Sequence, residues 1–202
     1  MNDNIFITFI IPSIGRESLK TSIQSLLNQD DNDWNAIILL DGIKNSYDKI
    51  EDERINIIEL EKINNAGLIR NIGINYCKNT EWIGFLDDDD YLSTDYISSL
   101  KREILTNKDI EICIFRMAYN NGYILPSKYD KNIIMKKVGI SFAAKKYVFN
   151  RVKFSDYPFE DYLFLKDAQN KRYKIIISSF VTYFVRTSPL KYDIFPKVLI
   201  NF

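Results

Sequence analysis

Trp82-Ile83-Gly84-Phe85-Leu86-Asp87-Asp88-Asp89-Asp90 is the stretch that decides the fold. A short apolar run delivers four consecutive carboxylates with no lysine or arginine among them. A buried strand that empties into such a cluster suits a sheet-based site that holds a divalent cation at the strand's end. Like charges at this spacing repel one another, so another group must offset them. A hard, oxygen-seeking cation such as Mg²⁺ or Mn²⁺ meets that need. The same residues would also serve as a solvated acidic turn capping the next helix.

Upstream, residues 5–11 form an apolar run that reads as a buried strand, ended by Pro12-Ser13-Ile14-Gly15. Leu19, Ile23, Leu26 and Leu27 then recur at helical spacing. Residues 34–40 read as a second strand closing on Asp41-Gly42, and residues 55–60 as a third. Asn64-Asn65 caps a helix running to Cys77, with Ile69, Ile72, Gly73 and Tyr76 on its buried face. After the Asp run, Ser93 or Thr94 caps a helix that carries Ile97, Leu100 and Ile104. Alternating strands and helices predict a parallel sheet of βαβ units. Such sheets bind ligands beyond the carboxyl ends of their strands. Ser13, Asp41 and the Asp run are therefore expected to converge on one edge.

The second half is less regular. Residues 110–118 read as a strand followed by an Asn120-Asn121-Gly122 turn. Residues 133–138 and 141–144 read as short strands, 174–177 and 181–185 as two more, and 194–202 as a short apolar tail. Residues 157–169 form a helix opened by Pro158, with Glu160 and Asp161 in its first turn. No linker or repeat breaks the chain, so one domain of two fused halves is expected.

Composition narrows the chemistry. With 27 basic and 27 acidic residues in 202, the chain has no general attraction to nucleic acid or anionic membrane. It contains no histidine, which excludes His-dependent triads and Cys–His dyads. A general base near neutral pH must then be a carboxylate, or failing that a lysine or tyrosine. Cys77 and Cys113 lie in apolar patterns and read as reduced, buried thiols of a cytoplasmic protein. Too few ligands remain for structural zinc. The run at 5–11 is too short and wrongly flanked for a signal peptide or a membrane span. Neither G-x-G-x-x-G after the first strand nor G-x-x-x-x-G-K-[ST] occurs, so a dinucleotide dehydrogenase or P-loop enzyme is not expected. A diphosphate bound here would have to be held by a metal and a few basic residues.

Several motifs together resemble glycosyltransferase family 2. They are Ile10-Ile11-Pro12-Ser13-Ile14-Gly15-Arg16, Leu26-Leu27-Asn28-Gln29, Asp41-Gly42, Asn65-Ala66-Gly67-Leu68-Ile69-Arg70-Asn71-Ile72-Gly73, Phe85-Leu86-Asp87-Asp88-Asp89-Asp90 and Glu160-Asp161. The resemblance covers residues 5 to 186 and implies the GT-A fold. That fold is α/β, a Rossmann-like, mostly parallel central sheet flanked by helices, with a smaller mixed C-terminal part. It further implies residues 1–92 as the nucleotide-sugar half and 93–202 as the acceptor half of a single domain. The implied activity is metal-dependent, inverting transfer of a hexosyl or N-acetylhexosaminyl group in polysaccharide biosynthesis. The donor would be a nucleotide-diphosphate sugar, UDP-sugar foremost, and the acceptor a glycan, lipid-linked or protein hydroxyl.

Carried onto this chain, the resemblance places Ser13 and Arg16 in the loop that receives the nucleotide. Asp41 would face base or ribose, although relatives often carry two acidic residues before that glycine and Leu40 holds the first place here. Arg70 would reach the nucleotide, and Gly67 would allow donor or backbone to approach. Asp87 and Asp89 match the ends of a D-x-D motif. Asp87 would contact the ribose or the metal and Asp89 the metal, Mn²⁺ or Mg²⁺; Asp88 and Asp90 are further candidates. Asp161 would be the general base, with Glu160 its neighbour or substitute. Arg186 would help to hold the diphosphate, and Tyr91, Tyr157 and Phe159 would contact the acceptor. Two other readings stay open: an Asp-dependent phosphohydrolase, and a non-catalytic nucleotide-sugar-binding module of the same fold.

Overall fold

The computed structural model describes residues 5–45 and 50–186. The apolar tail at 194–202 lies outside them. Four parallel strands, β3 (Ile55–Leu60), β2 (Trp34–Asp41), β1 (Ile5–Ser13) and β4 (Thr80–Phe85), lie side by side in that order. β1 and β2 are buried along nearly their whole length, as strands covered on both faces must be. The sheet continues through β8 (Phe142–Lys145), β6 (Ile112–Tyr119), β9 (Ile175–Val185) and β5 (Tyr91–Leu92), with β7 (Ile124–Leu125) paired to β6. β8 runs antiparallel to both β4 and β6, whereas β6 and β9 are parallel. The second half is therefore mixed, as expected.

Helices α1 (Leu19–Leu27), α2 (Ala66–Tyr76), α3 (Tyr96–Thr106) and α4 (Glu160–Asn170), with a 3-10 turn at Lys146–Asn150, flank the sheet among the described residues. The two sheet faces carry different partners. Phe9 packs edge-on against Tyr96 of α3. Its neighbour Ile10 points the opposite way, toward Gly73 of α2, where a β-carbon would lie 2.7 Å from Ile10 Cγ2. Phe85 shares the register of Ile10 and meets Phe154, which stacks on Phe164 of α4. α2 and α4 thus cover one face, and α3 covers the other.

Five local expectations are corrected. Pro12 does not end β1. Ile10 O accepts from Leu86 N on the β4 side, so Pro12 aims its missing N–H at the same side, past the point where β4 has ended. Residues 133–138 are built around a turn rather than a strand: Lys136 takes a left-handed φ of 67°, and only Ile133 and Val138 are buried while Ile134 and Met135 between them face solvent. The two strands at 174–177 and 181–185 are one, β9, whose register against β6 shifts around Arg116. α4 begins at Glu160 and not at Pro158, because Phe159 takes a left-handed φ of 63° that no helix continues. The α3 cap is Asp95 rather than Ser93 or Thr94; Ser93 instead accepts from Tyr96 N.

Candidate active site

A cleft of about 450 Å³ opens at the carboxyl ends of β1, β2 and β4. Ser13, Arg16, Asp41, Arg70, Asp87, Asp88, Asp89 and Glu160 all line it, so the expected convergence on one edge is observed.

The acidic loop is held at three points. Ser22 of α1 donates its hydroxyl to Asp90 O at 2.6 Å. Tyr183 of β9, fully buried, accepts from Asp87 N at 3.1 Å. Arg186 N donates to Asp90 Oδ1 at 3.0 Å. Within this frame the four carboxylates separate. Asp88 is 1% exposed and turns toward the β1 loop. It accepts from Ser13 Oγ at 2.7 Å, from Ile14 N at 3.2 Å and from Arg16. Asp87, Asp89 and Asp90 bring one oxygen each within 4.8 Å of the others, and Asp89 also lies 3.7 Å from Arg16. Burial first, and then the Asp87 charge, raises the Asp89 carboxyl and pushes that of Asp90 up to about 7. Such a set fits a hard cation. It offers oxygen donors only, and it carries a charge repulsion that a cation would relieve.

Arg70 is not the solvated cation that an amphipathic helix would present. It is 3% exposed and donates to Asp87 Oδ1 at 2.6 Å and to Glu160 Oε1 at 2.7 Å. Burial alone would lower its pKa, but the two carboxylates reverse that and raise it. Its Nε is buried with no partner among the described residues. The buried face of α2 accordingly contains Arg70 and Ile74, while Tyr76, expected there, is 45% exposed. Asp41 accepts from Ile63 N at 2.5 Å and from Asn64 N at 2.8 Å, and so fixes the turn that leads into α2. Asn65 caps α2 by accepting from Leu68 N.

Asp161 is absent from the cleft lining. Its carboxylate accepts from Tyr162 N at 2.6 Å and lies toward Gly139, where a β-carbon would stand 3.5 Å from Oδ2. Burial chiefly raises it to about 6; the Glu160 charge adds to this, while the Tyr162 bond and Arg70 oppose it. Tyr119 at the end of β6 is pushed up to about 12 by burial, then by the charges of Asp90 and Asp161. Gly67 makes room for backbone: a β-carbon there would lie 2.6 Å from Ser155 O. Tyr91 stacks on Phe184 at 4.9 Å, while Tyr157 and Phe159 stand 69% and 42% exposed just before α4. The Arg186 guanidinium lies 5.6 Å from the Tyr91 ring.

Tyr183, Tyr119, Ser22 and Asn71 escape the sequence reading. Only Asn71 carried a signal, as a polar residue inside the α2 motif.

An α/β sheet with a cleft at the carboxyl ends of its parallel strands has its candidate site where such sheets bind their ligands. A model described as Glycosyl transferase family 2 matches residues 8–163, and the chain belongs to that family. The uncharacterized glycosyltransferase EpsJ of Bacillus subtilis (strain 168) is 31% identical over 143 residues, 65% of this chain and 40% of its own. The minor teichoic acid biosynthesis protein GgaA of the same organism is 29% identical over 139 residues, 61% of this chain and 31% of its own. These matches span well under half of either relative. The fold matches that of S. aureus TarS 1-349 in complex with UDP-GlcNAc, with a TM-score of 0.73 at 16% identity, over 93% of this chain and 60% of that one. Among the described residues, no helix is long and apolar enough to cross a membrane.

Proposed function

We propose that the chain is a metal-dependent, inverting glycosyltransferase that moves a sugar from a nucleotide-diphosphate donor to an acceptor hydroxyl, with Asp161 as general base. The observation that carries this reading is the division of the acids. Asp87 and Asp89 on the cleft wall form a cation-sized group with the buried Asp90, while Asp161 lies off the cleft lining with its carboxyl raised to about 6.

The donor would lie in the cleft with its nucleotide against the Ser13–Arg16 loop and Asp41, and its diphosphate toward Asp87 and Asp89. Mn²⁺ or Mg²⁺ held by these acids would offset charge on the departing phosphates. Asp161 takes the acceptor hydroxyl's proton. The hydroxyl oxygen bonds to the anomeric carbon from the face opposite the leaving group, and the bond from that carbon to the diphosphate oxygen breaks. The nucleoside diphosphate leaves with the electron pair. Arg70 offsets part of the charge of Asp87 and Glu160 and opposes the rise of the Asp161 carboxyl, which burial still holds at about 6. Tyr157 and Phe159 provide exposed rings beside the base for an acceptor sugar.

Uridine diphosphate sugars are the first donors to try, because S. aureus TarS, which shares the fold, is solved with UDP and with UDP-GlcNAc. A teichoic-acid-type acceptor accords with the name of GgaA, a minor teichoic acid biosynthesis protein. The test is a thermal-shift screen of nucleoside diphosphates and their sugars with and without Mn²⁺, followed by assays of donor hydrolysis and transfer. Melting temperature should rise with one nucleotide and Mn²⁺ together. No shift and no turnover with any sugar nucleotide would defeat the reading. Phosphate release from simple esters would favour a phosphohydrolase instead.

A further inference from the structure

We infer that Asn71 is a positioning residue: it sets where the first turn of α4, with Glu160 and Asp161, stands relative to the cleft. This rests on the reading of Asp161 as base. The Asn71 side chain makes both its bonds to one residue. Nδ2 donates to Phe154 O at 2.8 Å, and Oδ1 accepts from Phe154 N at 3.0 Å. Phe154 is buried in a segment with neither helix nor strand, so its backbone groups would otherwise lack partners.

The hold on this segment is extended along α2. Gly67 lets Ser155 O approach, and Asn65 Nδ2 donates to Asp156 O at 3.1 Å. The Phe154 ring is fixed from the other side by Phe164 at 4.7 Å and Phe85 at 5.1 Å. Residues 157–159 alone then separate this anchored segment from Glu160. Arg70 reaches Glu160 of α4 through charge, whereas its neighbour Asn71 holds the backbone of the segment that leads into that helix. Loss of the Asn71 bonds frees the segment to shift, and a displacement of about 1 Å in a reacting group can cost about a hundredfold in rate.

The experiment compares the full chain with Asn71→Ala, Asn71→Asp and a control, Ile74→Ala, which removes a buried α2 side chain that makes none of these contacts. Donor hydrolysis or transfer gives kcat and KM, nucleotide titration gives donor affinity, and hydrogen–deuterium exchange reads residues 154–162. Both Asn71 variants should lose about tenfold or more in kcat, with donor affinity changed less than about twofold. Exchange at 154–162 should quicken in both. Asn71→Asp keeps the acceptor for Phe154 N but sets an oxygen against Phe154 O, and it serves where Asn71→Ala does not fold. Ile74→Ala should lose melting temperature without losing kcat.

Unchanged kcat in the Asn71 variants, or a loss that merely follows melting temperature as in Ile74→Ala, overturns the inference. So does unchanged exchange at 154–162. A wild-type chain with no turnover defeats the functional reading instead, and the exchange data still decide whether Asn71 holds the segment.

Discussion

The Arg70 guanidinium joins Asp87 at 2.6 Å to Glu160 at 2.7 Å from a side chain that is 3% exposed. One cation thereby ties the acidic loop to the first turn of α4. Removing it leaves two carboxylates facing each other without compensation. Water reaches both partners, which softens the penalty relative to a fully buried pair. Arg70→Ala should therefore cost about 2–3 kcal/mol of stability, read as a lower denaturation midpoint. Arg70→Lys should recover only part of it, since an ammonium cannot bridge two carboxylates with a planar fork. A cycle with Glu160→Gln would show a coupling; additive losses would mean that the bridge contributes nothing.

Asp161 makes two predictions of opposite sign. A base must be ionised to accept a proton, so kcat/KM should fall roughly tenfold per pH unit below about 6 and level off above it. The folded carboxyl binds its proton more tightly than the unfolded one. Its contribution to stability is therefore full below the unfolded value of about 3.9 and is lost as pH rises through about 6. Asp161→Asn should abolish transfer and keep nucleotide binding. It should be more stable than wild type by about 2–3 kcal/mol at pH 8, with no advantage near pH 3. Melting curves across pH check the sign.

Asp88 and Asp89 are adjacent but should fail differently. Asp88→Asn weakens the hold on Ser13, Ile14 and Arg16, so nucleotide affinity should fall while Mn²⁺ affinity is kept. Asp89→Ala removes one of three clustered oxygen donors, so Mn²⁺ binding should fall first. Manganese titrations by electron paramagnetic resonance separate the two. The Asp90 carboxyl is raised to about 7, burial being the main cause. Binding of Mn²⁺ near neutral pH should accordingly release protons, seen as a buffer-dependent heat in calorimetry.

Gly67→Ala gains helix propensity of about 1 kcal/mol, yet its methyl would stand 2.6 Å from Ser155 O. The backbone contact outweighs the propensity, so the variant should be less stable than wild type and slower in turnover. A stabilised variant would show that the 154–156 segment moves easily.

Much of the fold was legible because it rests on local pattern. β2 and β3 fall where their apolar runs lie, and Asn65 caps α2 as its place before that helix requires. β9 was read as two strands because the register shift that joins them depends on β6, not on its own residues. Residues 133–138 have strand-like composition, but the chain turns at Lys136.

The sequence by itself determined which residue types stand at the ends of the parallel strands, and hence that carboxylates meet in one cleft. Only the tertiary structure decided what each carboxylate does. Asp88 is turned to Ser13 across 75 residues of chain, Arg70 is buried between Asp87 and Glu160, and Asn71 grips Phe154 across 83. The physical reason is that an acid's charge, orientation and proton affinity are set by the groups packed against it. Those groups come from distant parts of the chain, where local pattern carries no signal.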